Sequence, residues 1–423
     1  MNSICVSPKG LSGRISVPPS KSAAHRAVIC ASLSAGKSII EPIDLSNDIK
    51  ATIECMKRLG ADISVEGKRL TVDGKGIFSV DKALLDCGES GSTLRFLIPV
   101  AAAGGVSTEF VGHGKLPQRP IGVFSECLPA HGTEFVTEGG LPLKISGKLF
   151  GGRFEVPGDI SSQFITGLLL ALPLCREDSE IVLTSPAQSV GYIKMTVDIM
   201  KKFGVEIAET ENGWFVRGGQ EYRPADFTVE GDWSQAAFFM TAAALGGEIT
   251  IDNLDVDSKQ GDKACMEIYA KIGADITADR NGSITIRKNQ LNGTDINAEN
   301  IPDMVPALAA AAALCKGTTR ITGAARLRIK ECDRLAAMCD GLSRLGADIT
   351  ETDDGLVIRG VEKLHGGSVL GYNDHRIVMS LAVASVKCSG DIIISDMESI
   401  NKSYPSFFED MRSLGGEFSV IMG

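Results

Sequence analysis

One phrase recurs along this chain at a nearly constant interval. The end of an amphipathic helix runs into Leu-Gly-Ala-Asp or a relative, and a strand follows. It reads MKRLGADISV from Met56, MKKFGVEIAE from Met200, YAKIGADITA from Tyr269 and LSRLGADITE from Leu342, with weaker copies LPAHGTEFVT from Leu128 and MRSLGGEFSV from Met411. The shared glycines are Gly60, Gly132, Gly204, Gly273, Gly346 and Gly415, spaced 72, 72, 69, 73 and 69 residues apart. A regular period of this length is the mark of a repeat architecture. Glycine suits the left-handed residue just past a helix C-terminus, where a Cβ is costly. Lys57, Arg58, Lys201, Lys202, Lys271, Arg344 and Arg412 fall in the last turns, where cations complement the helix dipole.

Each unit also carries an earlier, strongly apolar helix, such as Ala23–Ser34, Thr93–Ala103 or Phe164–Leu174. The unit therefore reads as β-α-β-α-β-β, and its helix faces need neighbours to cover them. Units this long, mixing helices and strands, favour globular grouping over a linear solenoid. Six units of about 70 residues divide three and three. The expected organisation is one domain of residues 20–228 and a second of residues 1–19 with 229–423. The crossings are placed at Val17-Pro18-Pro19-Ser20 and at Thr228–Asp232, so the first residues lend a strand to the C-terminal domain.

Composition narrows the function. Lys and Arg number 43 against 53 Asp and Glu, a net charge of −10, which excludes a broadly basic nucleic-acid surface. Any anion must be met by a local cationic cluster. The 11 cysteines show no C-x-x-C spacing, as expected of reduced thiols in a cytoplasmic protein rather than a disulfide framework or zinc site. The opening MNSICVSPKG lacks the pattern of a signal peptide. The longest apolar runs, Leu168–Cys175 and Val305–Cys315, are too short to span a bilayer, so no membrane partner is expected.

The conspicuous polar residues cluster at the starts of the apolar helices, where unpaired N–H groups and the positive dipole end favour anions. In PPSKSAAHRAVICASL, Ser20 or Ser22 can cap, and Lys21, Ser22 and Arg26 together suit a phosphate or carboxylate. A capped helix with solvated cations explains that motif equally well by itself. In DCGESGSTLRF, Gly88 and Gly91 permit a tight loop, Ser92 can cap and Arg95 opens the helix. Arg119 follows in LPQRPIG, stiffened by Pro120. Ser161, Ser162 and Gln163 precede a third apolar helix, and Ser189 and Tyr192 lie three apart in SVGYIKM. The C-terminal half holds the acid–base candidates. Asp303 can cap the helix of NIPDMVPALAA. Lys330 and Arg334 are four apart around Glu331, and a carboxylate among cations can be tuned for proton transfer. Asp374 can cap the helix that begins with His375 and Arg376, and Lys402 precedes an aromatic helix. Both halves contribute such helix starts. If they converge, an electropositive cleft results inside an acidic protein, suited to small, multiply anionic substrates and to closure.

PSKSAAHRA, SGSTLR, RPIG, SSQF, IPD, the K-E-C-D-R run, NDHR and NKSYP, in that order, resemble the enolpyruvyl transferase family over essentially the whole chain. Within it the resemblance favours the members that act on shikimate 3-phosphate. It implies two inverse α/β-barrel-like domains of three β-α-β-α-β-β units each. It implies transfer of the enolpyruvyl group of phosphoenolpyruvate to the 5-hydroxyl of shikimate 3-phosphate, by addition and elimination, on the way to chorismate. No metal or organic cofactor is implied, and a monomer is.

Carried over by motif, Lys21, Ser22, Arg26, Ser161, Ser162, Gln163, Ser189 and Tyr192 match positions that hold shikimate 3-phosphate, with Asp303 and Lys330 beside its reacting hydroxyl. Lys21, Gly91, Ser92, Arg95, Arg119, Gln163, Arg334, Arg376 and Lys402 match the phosphoenolpyruvate cradle, where the planar arginine fork suits carboxylate and phosphate. Asp303 matches the base near the 5-hydroxyl, Glu331 a proton-transfer residue for the methylene carbon, Lys330 its cationic neighbour and His375 a supporting group. Two positions depart from the pattern. Glu89 stands where many members have Asn, and an inward carboxylate there would repel phosphate, so it is not carried over. Arg326 also replaces an Asn, leaving its contact with the substrate phosphate open. A related transferase acting on UDP-N-acetylglucosamine is the nearest alternative. It expects a Cys in the loop before Arg-Pro, and GHGKLPQRP has none. A non-catalytic anion-binding repeat protein is the other alternative, and it would not need Asp303 and Glu331.

Overall fold

The computed structural model describes residues 2–279 and 282–423. Six four-stranded sheets share one pattern: a parallel pair, then two strands added antiparallel. In one repeat the strands Lys82–Asp86 and Ser107–Val111 pair in parallel around the helix Gly91–Gly104. The hairpin Thr133–Thr137 and Leu143–Gly147 then completes the sheet. This is β-α-β-α-β-β with strand order 1-2-4-3, as a parallel pair needs a helical crossover and an antiparallel pair only a turn.

All six repeat glycines have positive φ, from 81° to 112°. The seven cations assigned to last turns lie there. The first helix of each repeat is buried on nearly every face. Trp233–Gly246 and Val305–Ala312 show why: both are apolar all round and need cover on all sides.

The chain divides into two compact units, a continuous one of Pro19–Val229 and a split one of Met1–Pro18 with Glu230–Gly423. Each has its own apolar core. Three strands paired with distant parts of the chain close the repeats. Phe227–Thr228, late in the continuous unit, pairs in parallel with Lys37–Glu41 and so opens that unit's first repeat. Ser12–Ser16 pairs in parallel with Glu248–Asp252. Ser3–Val6 inserts between Ile392–Ile394 and Phe418–Ile421 as the last strand of the sixth sheet.

Candidate active site

In the continuous unit the expected residues gather at four helix starts. Ser20, not Ser22, caps Lys21–Leu33, its hydroxyl accepting from Ala23 N. Lys21 Nζ lies 2.6 Å from Asp48 Oδ2. Arg26 is buried, and its guanidinium donates to four neutral oxygens: Thr196 Oγ1 at 2.7 Å, the Ser22 carbonyl at 2.7 Å, the Tyr192 carbonyl at 3.2 Å and Thr166 Oγ1 at 3.4 Å. Its Cζ stands 5.0 Å from the Phe96 ring centroid. Burial lowers its pKa to about 10, so it stays charged at neutral pH. Ser189 takes a left-handed conformation at the head of Val190–Lys202, and its carbonyl accepts from Tyr192 N.

Ser90, not Ser92, caps Gly91–Gly104. Ser92 therefore accepts from Gln163 Nε2 at 3.0 Å, while Gln163 Oε1 accepts from Arg95 Nη1 at 2.7 Å. Arg95 also donates to the Pro120 carbonyl at 2.8 Å, and its Cζ sits 4.9 Å from the Phe164 ring centroid. Ser161 caps the third helix, Ser162–Ala171. Gly91 has a steric reason: a Cβ there would stand 2.7 Å from Arg119 Nη1. Arg119 is itself buried. Glu89 turns toward the next loop, its carboxylate against Gly114 and 4.0 Å from His113 Nε2. His25, one turn after Lys21, is fully buried, with Nδ1 2.7 Å from Thr52 Oγ1. Burial, then Lys21 and Arg26, hold its pKa well below the usual histidine value.

In the split unit the acid–base candidates meet at one guanidinium. Arg334, 2% exposed, donates Nε to Asp374 Oδ2 at 2.7 Å, Nη2 to Glu331 Oε2 at 2.7 Å and Nη1 to Asp303 Oδ1 at 3.0 Å. Arg376 donates to the Asp303 carbonyl at 2.7 Å and to Asp303 Oδ2 at 3.2 Å. Lys330 Nζ is 3.7 Å from Asp303 Oδ1. Lys402 Nζ donates to the Asn373 carbonyl at 2.6 Å. Burial alone would raise the Asp303 carboxyl, but Arg376, Lys330 and Arg334 outweigh it and hold it well below the usual carboxylate range. The same three carboxylates raise Arg334 well above its ordinary value against the opposing effect of burial.

Two local expectations change. Asp303 caps no helix: it sits in the short turn Pro302–Met304, its carboxylate committed to the cations. Lys330 and Arg334 do not share a helix face. Lys330 is extended, ahead of a helix that starts at Arg334 and is capped by Asp333. Asp374 caps His375–Ala384 as expected, and buried His375 occupies that helix's first position. The sequence reading missed the partners Asp48, Thr166, Thr196 and Asn373, and the ion pair of Asp374 with Arg334. Asp374 and Asn373 lie in the NDHR motif, where only capping was read for Asp374, and Asp48, Thr166 and Thr196 lie in no motif.

Six repeats with these helix starts define the architecture of the enolpyruvyl transferases. One solved member, NikO from Streptomyces tendae, shares this fold with a TM-score of 0.81 at 16% identity, covering 100% of this chain and 99% of its own. The chain belongs to the EPSP synthase (3-phosphoshikimate 1-carboxyvinyltransferase) family, whose model matches residues 6–411. It is 49% identical to the 3-phosphoshikimate 1-carboxyvinyltransferase of Clostridium perfringens (98% of this chain, 99% of the relative). It is 47% identical to that of Clostridioides difficile (98% of each). The EPSP synthase structure from Acinetobacter baumannii aligns with a TM-score of 0.85 at 27% identity, covering 100% of both chains.

Proposed function

We infer that this chain transfers the enolpyruvyl group of phosphoenolpyruvate to the 5-hydroxyl of shikimate 3-phosphate and releases phosphate, a step of the shikimate pathway. Near full-length likeness to relatives of that name supports the reading. The observation that carries it chemically is Arg334 joined to Asp303, Glu331 and Asp374. A binding protein has no use for a carboxylate held so far below its usual range by three cations.

In this reading Lys21, Ser22, Arg26, Ser161, Ser162, Gln163, Ser189 and Tyr192 hold shikimate 3-phosphate. Gly91, Ser92, Arg95, Arg119 and Gln163, with Lys21, Arg334, Arg376 and Lys402, receive phosphoenolpyruvate. Asp303 takes the proton of the 5-hydroxyl as its oxygen bonds to C2 of phosphoenolpyruvate. Glu331, entering the cycle as the carboxylic acid, gives its proton to the methylene carbon to form a tetrahedral intermediate, with Lys330 and His375 alongside. Glu331 then removes a methyl proton, the double bond re-forms, the C2–O bond to phosphate breaks, and the hydroxyl's proton leaves with the phosphate. A carboxylate held as low as Asp303 is a weak base. The phosphoenolpyruvate anion, sharing its three cations, loosens their hold and raises it toward a working range.

No helix among the described residues is long and apolar enough to cross a membrane. We propose a cytoplasmic monomer that needs no metal or organic cofactor and no nucleic-acid partner. The deciding experiment is phosphate release from phosphoenolpyruvate with shikimate 3-phosphate or UDP-N-acetylglucosamine as acceptor. Release with the first alone is expected. Release with the second would move the chain to the related transferase, and release with neither would make it a binding protein.

A further inference from the structure

We propose that Arg326 is a positioning residue: it clamps together the two segments that carry Asp303 and Lys330 and so sets their separation. Three contacts join these segments at their roots. Ala298 N donates to the Thr322 carbonyl at 2.8 Å. Gly323, at φ 70°, lets the Glu299 side chain pass, since a Cβ there would lie 2.7 Å from Glu299 Cγ. Arg326 Nη2 donates to the Glu299 carbonyl at 2.6 Å. From that last contact each segment runs four residues to its functional end, Glu299 to Asp303 and Arg326 to Lys330. Those ends stand 3.7 Å apart.

Neither end has a regular helix to fix it. Asp303 lies in the single turn Pro302–Met304, and Lys330 is extended after the turn Ala325–Ile329. Leu327 is buried and anchors the second segment to the core. The Arg326 contact is the one nearest the reacting groups among the three that hold the segments in register. A charge-assisted hydrogen bond to a carbonyl is stronger than a neutral one, which suits a clamp.

The inference rests on the proposed roles of Asp303 and Lys330. Its test is steady-state kinetics of Arg326→Ala and Arg326→Lys against wild type, with kcat, both KM values and the pH profile measured. A clamp lost in Arg326→Ala misplaces the reacting groups, so kcat should fall about tenfold to a hundredfold with KM for shikimate 3-phosphate nearly unchanged. Asp303 is faced by Arg376, Arg334, Lys330 and Glu331. With Lys330 drifting away it loses one cation, so the acid limb of kcat should move to higher pH. Arg326→Lys keeps one charged donor and should recover most of kcat. A raised KM for shikimate 3-phosphate with kcat and pH profile unchanged would overturn the proposal, because Arg326 would then be a substrate contact. Unchanged kinetics would overturn it too. If the alanine variant does not fold, Arg326→Gln gives the same split. A wild-type chain with no phosphate release would refute the functional reading itself, a result distinct from any of these.

Discussion

The cations of the continuous unit and those of the split unit look alike in sequence but are held in opposite ways. Arg26 and Arg95 donate to hydroxyl, amide and carbonyl oxygens, and Lys21 pairs with Asp48. Neutral partners orient a guanidinium without cancelling its charge. Arg334, Arg376 and Lys330 instead face Asp303, Glu331 and Asp374, three positive groups against three negative ones. The first group retains a positive field for an anion. The second is compensated, and its cations hold the Asp303 carboxyl well below the usual carboxylate range. On the proposed function, Arg26 and Arg95 offer their charge to substrate alone, whereas Arg334 and Arg376 are shared between phosphoenolpyruvate and the carboxylates beside them.

The strongest way to break this comparison is to remove a carboxylate from the compensated group. Asp303→Asn or Glu331→Ala should lower kcat by about 10²–10⁴-fold, the usual worth of a proton-transfer group, with KM for shikimate 3-phosphate little changed. A large KM effect with intact kcat would place binding there instead. Next, Arg26→Ala should weaken shikimate 3-phosphate by roughly 1.5–3 kcal/mol in calorimetry, the range for a hydrogen bond to a charged group. Added salt should narrow the gap between wild type and variant.

A third expectation concerns stability. His25 has a folded pKa below its unfolded value near 6.5. Its contribution is therefore complete above that value and is lost as pH falls below it. Urea midpoints of wild type should drop from pH 6.5 to 5, by no more than about 1.4 kcal/mol per pH unit from one group. The slope should flatten in His25→Gln, and an equal slope in both would remove His25 as its source. The smallest effect is expected from Gly91→Ala. The new methyl must push aside only the end of Arg119, so KM for phosphoenolpyruvate should rise several-fold while the fold is kept.

The periodic glycines made the six units legible because left-handed backbone demands glycine wherever a helix turns into a strand. All six repeat glycines have the required φ. Helix starts were legible to within two residues. Choosing between Ser90 and Ser92 was not, because either hydroxyl can cap and only the backbone path decides. The site was legible as a set of polar positions but not as a network. Arg334 and Asp374 are forty residues apart, and nothing local in either segment announces the other. Lys330 and Arg334 show the converse failure. Spacing of four means a shared face only inside a helix, and the helix there begins only at Arg334.

The strand Ser3–Val6 pairs only with segments near residues 392 and 421. On a ribosome it is therefore made well before either partner and is late to pair. At about 5–20 residues per second its neighbours arrive roughly 20–80 seconds later. The continuous unit, whose own last strand ends at Thr228, can close long before. The order of synthesis thus places a finished half ahead of one that waits for its last strands, and a short apolar strand must stay unpaired, and out of reach of other chains, throughout that interval.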